Sequence, residues 1–267
     1  MKSISAIGLT DVNAVYDGNE GDLWELIMGQ QIHIGGFQSS MELAQGAGIG
    51  AGLHGVDLCC CNGAGMRLLV RFCHVSKMTG VDATKTVVER GRQRCGEEGL
   101  DDRISFVLAD ACDSHLADAA ADFVWGGDAW CYVTDKARLI AEAVRIVKRG
   151  GVIAFTDWVE GPAGLSNDDA ARFLRFMKFP NVQDIAGYTA LLEATGCAVV
   201  AAEDTGRFAP YLDLYQNMVN MQLTYDAMRI MNFDTAAMQA MASEMAFMQS
   251  LAHAGKIAQG RFVARRL

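Results

Sequence analysis

The stretch that decides the fold is Val56-Asp57-Leu58-Cys59-Cys60-Cys61-Asn62-Gly63-Ala64-Gly65. It lies at the end of the first predicted strand and opens a predicted helix. A turn of this kind leaves backbone N–H groups free and lets a ligand approach the main chain, which is why nucleoside and dinucleotide sites use it. Taken alone, the stretch is a weak signal that needs support from the rest of the chain.

Short apolar runs alternate with amphipathic segments through the middle of the sequence. This pattern is typical of βαβ units and a largely parallel sheet. The candidate strands are 55–60, 78–82, 104–108, 122–125, 152–157, 198–203 and 261–265. The sequence therefore predicts the α/β class.

The clearest helix follows Thr134. Its apolar residues fall at i, i+3, i+4 and i+7, and they are Ile140, Ala143, Val144 and Val147. Lys148, Arg149 and the glycine pair that follows suit its end. We therefore expect this helix to close at residues 150–151.

The pattern divides the chain into four segments. Residues 1–54 are predicted as a helical cover, 55–210 as the α/β core, 211–258 as a helical lid and 259–267 as the last core strand. The lid segment holds eight of the fourteen methionines, and a helical spacing relates Met238, Met241, Met245 and Met248. Such a stripe suits a helix face packed on the body of the protein, and it equally suits an adaptable lid over a substrate pocket.

Composition limits the classes of partner. The 267 residues are 51% hydrophobic and 21% charged, with a net charge of −9. This sign repels phosphate backbones and anionic membrane surfaces, and we find no spanning segment or secretory signal. We expect a cytoplasmic protein that binds neither nucleic acid nor membrane. The sequence leaves open whether the chain is a monomer or a homodimer.

Eight cysteines lack the spacing of a zinc site or of a disulfide framework, since there is no C-x-x-C pair and no clustered histidine. We expect free thiols in a reducing compartment, and no metal.

Polar residues follow four successive strands. Asp82 ends the second predicted strand, 25 residues after Asp57, where an acidic side chain can accept bonds from both ribose hydroxyls. Asp110 follows the third strand, although it equally suits a helix cap. Gly127 and Asp128 follow the fourth strand. Such a rim forms the ligand crevice of open α/β sheets.

With these residues in place, the sequence resembles the S-adenosylmethionine-dependent methyltransferases of Rossmann-like fold. The matching segments are 56–58, 80–82, 108–111, 121–125 and 145–154. Within that superfamily it looks most like the small-molecule group that contains sarcosine and dimethylglycine N-methyltransferases. The segments that carry this closer similarity are 31–35, 125–130, 254–256 and 260–263.

The resemblance implies S-adenosyl-L-methionine as cofactor and a seven-stranded, mostly parallel sheet with helices on both faces. It also implies a helical cover at the N-terminus and a helical lid before the last strand. The residues implied to bind the cofactor are Tyr16, Asp57, Cys59, Cys61, Gly63, Asp82, Ala83, Asp110, Ala111 and Gly127. The candidates for the methyl group and its acceptor are His33, Asp128, Trp130 and Tyr132.

The chain departs from the family at three of these positions. Cys59 and Cys61 stand where members usually have glycine, and a cysteine side chain adds bulk and disfavours positive φ. Either the loop has shifted or the cofactor sits differently. Tyr132 stands where the nearest subgroup often has histidine.

The resemblance implies a methyltransferase that acts on a small metabolite, with an amine nitrogen as the leading acceptor and oxygen or carbon open. An amine must arrive deprotonated, and Asp128, Tyr132, His33 or Asp157 are placed to accept its proton or a hydrogen bond. Aromatic residues that would surround a cationic ligand are Trp24, Trp125, Trp130, Tyr132, Tyr188 and Tyr211.

Two alternatives remain. One is a non-catalytic protein of the same fold that binds S-adenosylmethionine, S-adenosylhomocysteine or another nucleoside through an altered glycine loop. The other is thiol chemistry at the cysteine run, which requires a thiol of low pKa near the helix start.

Overall fold

The computed structural model describes residues 1–4 and 7–267. The strands are β1 (Lys2–Ser3), β2 (His54–Leu58), β3 (Lys77–Asp82), β4 (Ile104–Leu108), β5 (Ala121–Gly127), β6 (Val147–Glu160), β7 (Asn181–Asp184), β8 (Cys197–Asp204) and β9 (Ile257–Arg266). The helices are α1 (Leu9–Tyr16), α2 (Asn19–Met28), α3 (Gly36–Gly46), α4 (Ala64–Phe72), α5 (Lys85–Glu97), α6 (Lys136–Ile146), α7 (Asn167–Met177), α8 (Ile185–Ala194), α9 (Phe208–Met221), α10 (Thr224–Ile230) and α11 (Thr235–His253).

The central sheet has the order β4-β3-β2-β5-β6-β9-β8. The first five of these strands pair in parallel, and β9 runs antiparallel to both β6 and β8. This confirms the predicted seven-stranded, mostly parallel sheet. Two short strands were not predicted: β7 pairs in parallel with the end of β6, and β1 pairs antiparallel with β7.

Apolar clusters lie on both faces of the sheet because successive strand residues point to opposite faces. On β5, Phe123 and Trp125 join the cluster formed with α4 and α5, whereas Val124 joins the cluster formed with α6 and α8. The helices therefore cover both faces, as expected for a doubly wound sheet.

The helix predicted after Thr134 is α6, and its end differs from the prediction. The side chain of Asp135 caps it by accepting a bond from the Arg138 N–H at 2.9 Å. The helix ends at Ile146, and Val147 begins β6 by pairing with Ala121. The pair Gly150-Gly151 therefore lies inside a strand. Val147 fitted the apolar repeat of the helix only by coincidence. It is the buried first residue of β6, and it lies four residues after Ala143.

Helices α1 to α3 stand between β1 and β2, and α9 to α11 stand between β8 and β9. Both groups share an apolar cluster that includes Trp24, Ile27, Leu212 and Met248. The predicted cover and lid are thus present as helices, while the boundaries assigned to them stay predictions. Within the described part of the chain, no helix is both long and apolar enough to cross a membrane.

Candidate active site

The carboxyl ends of β2 to β5 surround a cavity of about 250 Å³, called here the large cavity. Its walls come from the turns after these strands, from α1 and from the start of α6. Of the residues predicted to bind a cofactor, it is lined by Tyr16, Cys59, Cys61, Asp82, Ala83, Asp110 and Ala111. The predicted rim of strand ends is therefore assembled at one place, as open α/β sheets do.

The loop from β2 to α4 keeps a glycine-like backbone although two of its residues are cysteines. Cys59 and Cys61 have φ values of 64° and 48°, and Gly63 has a φ of 74°. These values lie in the left-handed region that residues with a Cβ rarely adopt. The backbone thus keeps the turn that glycines would make, and the two thiols line the cavity.

Asp82 fixes this loop from the end of β3. One carboxylate oxygen accepts the Cys61 N–H at 2.8 Å, and the other accepts the Thr84 N–H at 2.9 Å. Burial raises the pKa of Asp82, and the two backbone donors oppose that shift. Each oxygen retains a lone pair that can face the large cavity.

Asp110 differs from Asp82 because its side chain is exposed and folds back locally. Its carboxylate accepts the Cys112 N–H at 2.8 Å, which makes a short turn after β4. Ala111 is buried and forms part of the apolar wall of the large cavity. No described helix begins at Asp110, so the helix-cap alternative is wrong, and the residue forms a local turn on the cavity rim instead.

A second, small cavity of about 40 Å³ lies beside the large one. The residues that line both are Tyr16, Cys59, Cys61 and Ala129. The small cavity also receives His33, Asp57, Gly127 and Asp128 from the predicted set. Gly63 lines neither cavity and begins α4 instead.

Asp57 is a buried carboxylate at the wall of the small cavity, with 4% of its surface exposed. Among the described residues, no side chain or backbone N–H donates to its carboxylate. Burial raises the pKa of Asp57 well above the usual value, and the nearby charge of Asp82 raises it further. A Cβ on Gly65 would lie 3.5 Å from Asp57 Oδ2 and 3.3 Å from Trp125 Nε1, so glycine keeps this wall open.

Asp128 is the centre of a buried junction between distant segments. Its carboxylate accepts the Ile34 N–H at 2.8 Å and the Gln259 amide at 2.9 Å. The same Gln259 amide donates to the Ile34 carbonyl at 2.9 Å, and the Thr205 hydroxyl donates to Gln259 Oε1 at 2.9 Å. Burial raises the pKa of Asp128 to about 6.

Gln259 was missed by the sequence reasoning. It is fully buried near the start of β9, between Ala258 and Gly260. A lone amide inside an apolar strand is a signal that could have found it, because a buried amide needs partners.

His33 is buried against the small cavity. Its Nε2 lies 3.2 Å from Gln31 Oε1 and 3.1 Å from Ser40 Oγ, while Nδ1 has no partner among the described residues. Burial lowers the pKa of His33 to about 4. The imidazole is therefore neutral near pH 7.

Tyr16 and Tyr132 form a pair at the edge of the large cavity. Their hydroxyl oxygens are 3.0 Å apart and their rings meet edge to face, with centroids separated by 5.7 Å. Burial raises the pKa of both phenols, so both keep their protons. The prediction that Tyr132 faces the pocket agrees with this position, and its chemical role stays a prediction.

Trp130 is placed in the core, which corrects the prediction that it lines the pocket. Its ring is fully buried, stacks on Phe155 at 4.0 Å and donates from Nε1 to the Leu58 carbonyl at 3.2 Å. The ring packs under Gly126, where a Cβ would lie only 2.4 Å from Trp130 Nε1.

Other predicted candidates are likewise structural. Asp157 is fully buried, lines neither cavity and accepts the Cys131 N–H at 2.9 Å and the Tyr188 hydroxyl at 2.5 Å. Trp24 and Tyr211 pack in the cluster between cover and lid. Of the aromatic set, only Tyr132 and Trp125 contact a cavity.

The cysteine run lacks the electrostatics of reactive thiols. Burial, followed by the charge of Asp82, raises the pKa of Cys59 and Cys60 and brings that of Cys61 to about 12. A reactive cysteine needs a lowered pKa, so the geometry disfavours the thiol-chemistry alternative. Within the described residues, no group of three or more His, Cys, Asp or Glu side chains is arranged to hold a metal ion.

Known sequences are similar to the core of this chain. Residues 56–155 match the family described as a methyltransferase domain. The 27-O-demethylrifamycin SV methyltransferase of Amycolatopsis mediterranei is 32% identical over 134 residues, which cover 49% of this chain and 49% of that protein. The dimethylglycine N-methyltransferase of Parasynechococcus marenigrum is 32% identical over 102 residues, covering 38% of this chain and 36% of that protein. The chain thus spans about half the length, or less, of these curated relatives.

Comparison with solved structures agrees on the fold. Phosphoethanolamine N-methyltransferase 2 of Haemonchus contortus, in complex with S-adenosyl-L-methionine, matches with a TM-score of 0.85 at 18% identity, over 96% of this chain and 59% of that one. The Rossmann-like methyltransferase fold expected from the sequence is confirmed. Relatives named for transfer to nitrogen, oxygen and carbon are all represented.

Proposed function

We propose that this chain, whose residues 56–155 form a methyltransferase domain, transfers a methyl group from S-adenosylmethionine to a small metabolite. The observation that supports this most is the Asp82 carboxylate, which is held by two backbone N–H groups at the rim of a 250 Å³ cavity. Pockets that bind small ligands have volumes from about 300 Å³ upward and combine apolar walls with a few fixed polar groups. The large cavity lies just below this range and has walls of this kind.

The described residues fit such a cofactor. Asp82 retains lone pairs for two ribose hydroxyls, and Leu9, Val12 and Val87 supply an apolar wall for a base. Asp57 is buried without a protein donor, as suits a carboxylate that would receive an ammonium group from a ligand. When bound, S-adenosylmethionine supplies an electrophilic methyl group on a positively charged sulfur.

The chain's own contribution is to hold and desolvate the reacting groups. Alignment of an acceptor with the methyl carbon in a dry site can supply roughly 7–11 kcal/mol of the barrier, so no strong base is required. Tyr16 keeps its proton and donates a hydrogen bond to the Tyr132 oxygen, which leaves the Tyr132 O–H free to orient an acceptor, and the two rings exclude water. Neutral His33 lines the small cavity, where its Nε2 is fixed by Gln31 and Ser40.

We further propose an amine nitrogen as the acceptor atom. Two carboxylates, Asp57 and Asp128, line the small cavity, and none of its described lining residues is a lysine or arginine. An anionic acceptor would therefore enter without a counter-charge, whereas an amine, which reacts as the neutral base, needs none. The name of the cyanobacterial relative, a dimethylglycine N-methyltransferase, points the same way.

Calorimetry with S-adenosylmethionine and S-adenosylhomocysteine tests the cofactor, and transfer of a radiolabelled methyl group tests the acceptor. We expect both nucleosides to bind, and label to pass to small secondary and tertiary amines that carry no carboxylate faster than to hydroxyl analogues of matched size. Absence of binding would overturn the whole proposal. Transfer to hydroxyl or carbon acceptors alone would overturn the choice of nitrogen.

The second candidate is a non-catalytic binder of the same fold. The thiols of Cys59 and Cys61, which stand where the two cavities meet, favour it because they narrow the passage. Nucleoside binding without transfer to any acceptor in the panel would support this candidate over the first.

A further inference from the structure

A third cavity lies away from the candidate active site, between α2, α9 and α11. We call it the methionine well, and Leu23, Ile27, Met238, Met241 and Met245 line it. Its volume is about 90 Å³, and none of its lining residues borders the large or small cavity. A single water needs only about 10–15 Å³, and an apolar cavity of about 150 Å³ stays dry and binds benzene. The well therefore has room for more than one water but little that would hold water in place.

The well has a closed apolar floor and an open mouth. Leu23, Ile27 and Met245 are buried at 2%, 4% and 7% exposure. Asn220 and Ala242 at the other end are exposed to solvent. Methionine side chains are flexible and polarizable, so three of them can adapt the wall to an irregular aliphatic group.

One polar group in the wall lacks a partner. The Gln216 Nε2 atom is buried and donates no hydrogen bond within the described residues, and Gln216 lines the well one helical turn before Asn220. An unpaired buried donor costs about 1–3 kcal/mol, which a ligand oxygen would recover. No charged residue lines the well, so a charged ligand would be desolvated without compensation.

We propose that the methionine well binds the aliphatic part of a small neutral molecule that carries a carbonyl or hydroxyl oxygen, and that the buried Gln216 amide turns toward the well so that Nε2 donates to that oxygen. Because α2 belongs to the N-terminal helices and α9 and α11 to the insertion before β9, the ligand would join these two parts of the protein. The site is independent of the proposed methyl transfer.

Methyl-labelled methionine reports on the well directly by NMR. We expect 2-hexanone to shift the methyl signals of Met238, Met241 and Met245 saturably, while Met66 and Met78, buried in a different cluster, stay unmoved. Hexanoate and hexylammonium, with the same chain length, should bind at least ten-fold more weakly. Unmoved well methionines, or equal binding of a charged probe, would overturn the proposal.

Two variants distinguish the contribution of the Gln216 amide to binding from that of the apolar cavity. Gln216→Met, which nearly preserves side-chain volume, should weaken 2-hexanone binding about two- to ten-fold through the lost hydrogen bond. Met241→Phe should abolish binding by filling the well. Met221→Phe on the same helix as Gln216, at a side chain that is 79% exposed and outside the well, is the matched control and should change nothing. Unchanged binding in Gln216→Met would remove the amide from the proposal.

Discussion

The large and small cavities share four residues, yet they are held together in different ways. In the large cavity each acidic group is fixed by backbone donors from adjacent turns, such as Cys61 and Thr84 for Asp82. In the small cavity Asp128 is fixed by Ile34 and Gln259, which are 94 and 131 residues away in sequence.

This difference determines how far a perturbation spreads. The large cavity follows from strand order, because parallel strands bring their carboxyl ends to one edge. The small cavity forms only where the N-terminal cover, the end of β5 and β9 contact one another around Asp128. A change in the large cavity should therefore act locally, whereas a change at the Asp128 junction should loosen several segments.

The largest effect is expected from Asp82→Ala. It removes the proposed ribose acceptors and leaves the Cys61 and Thr84 N–H groups without their carboxylate, at about 1.5–3 kcal/mol for each charge-assisted bond. Binding of S-adenosylhomocysteine measured by calorimetry should weaken at least 100-fold. Asp110→Ala is the control within the same cavity and should cost less than five-fold, since its side chain is exposed. Equal losses in the two variants would contradict the special place given to Asp82.

A smaller but more widespread effect is expected from Gln259→Leu. Asp128 and the Ile34 carbonyl then lose a buried donor, which should lower the free energy of unfolding by about 3 kcal/mol. Hydrogen exchange should show faster opening near residue 34 as well as in β9. Thr205→Val removes the outer bond to Gln259 and the 3.3 Å bond from the Arg207 N–H, leaves Asp128 and Ile34 bonded, and should cost much less.

The double variant Asp128→Asn with Gln259→Glu sharpens this comparison. It restores an amide-to-carboxylate bond with the partners exchanged, while the Ile34 N–H can still donate to an amide oxygen. We expect it to be at least 1 kcal/mol more stable than the sum of the two single changes. Simple additivity would show that Asp128 and Gln259 do not act as a unit.

Most residues that line the large cavity could be predicted from the sequence. Asp82, Ala83, Asp110 and Ala111 all lie at its wall, because they stand at or within three residues of the end of a strand whose apolar pattern was readable. The fold followed for the same reason, since seven strand patterns with helices between them leave few arrangements.

The small cavity was less accessible to sequence reasoning. Ile34 contributes a main-chain N–H, which leaves no trace in side-chain pattern. Trp130 was misplaced because the chain turns after Asp128, whose φ of 50° sends the ring into the core rather than the pocket. The position of such a turn depends on its tertiary bonds and not on the local run of residues.

The smallest expected effect concerns the passage between the cavities, where Cys59 and Cys61 hold positive φ angles. A residue with a Cβ in this region carries about 1–3 kcal/mol of strain, and glycine relieves it at an entropic cost of about 0.4–1 kcal/mol. Cys59→Gly and Cys61→Gly should therefore each stabilise the protein by about 1 kcal/mol and raise Tm by about 2 °C.

Cys73→Gly is the matched control, because Cys73 has a φ of −102° and gains no relief from glycine. Calorimetric unfolding should show a lower Tm for this variant and a higher Tm for the two loop variants. Removing the two thiol branches should also tighten S-adenosylhomocysteine binding a few-fold by widening the passage. If Cys59→Gly lowered Tm as much as Cys73→Gly does, the packing of the thiol would outweigh the strain, and the cysteines would be supporting the loop rather than strained within it.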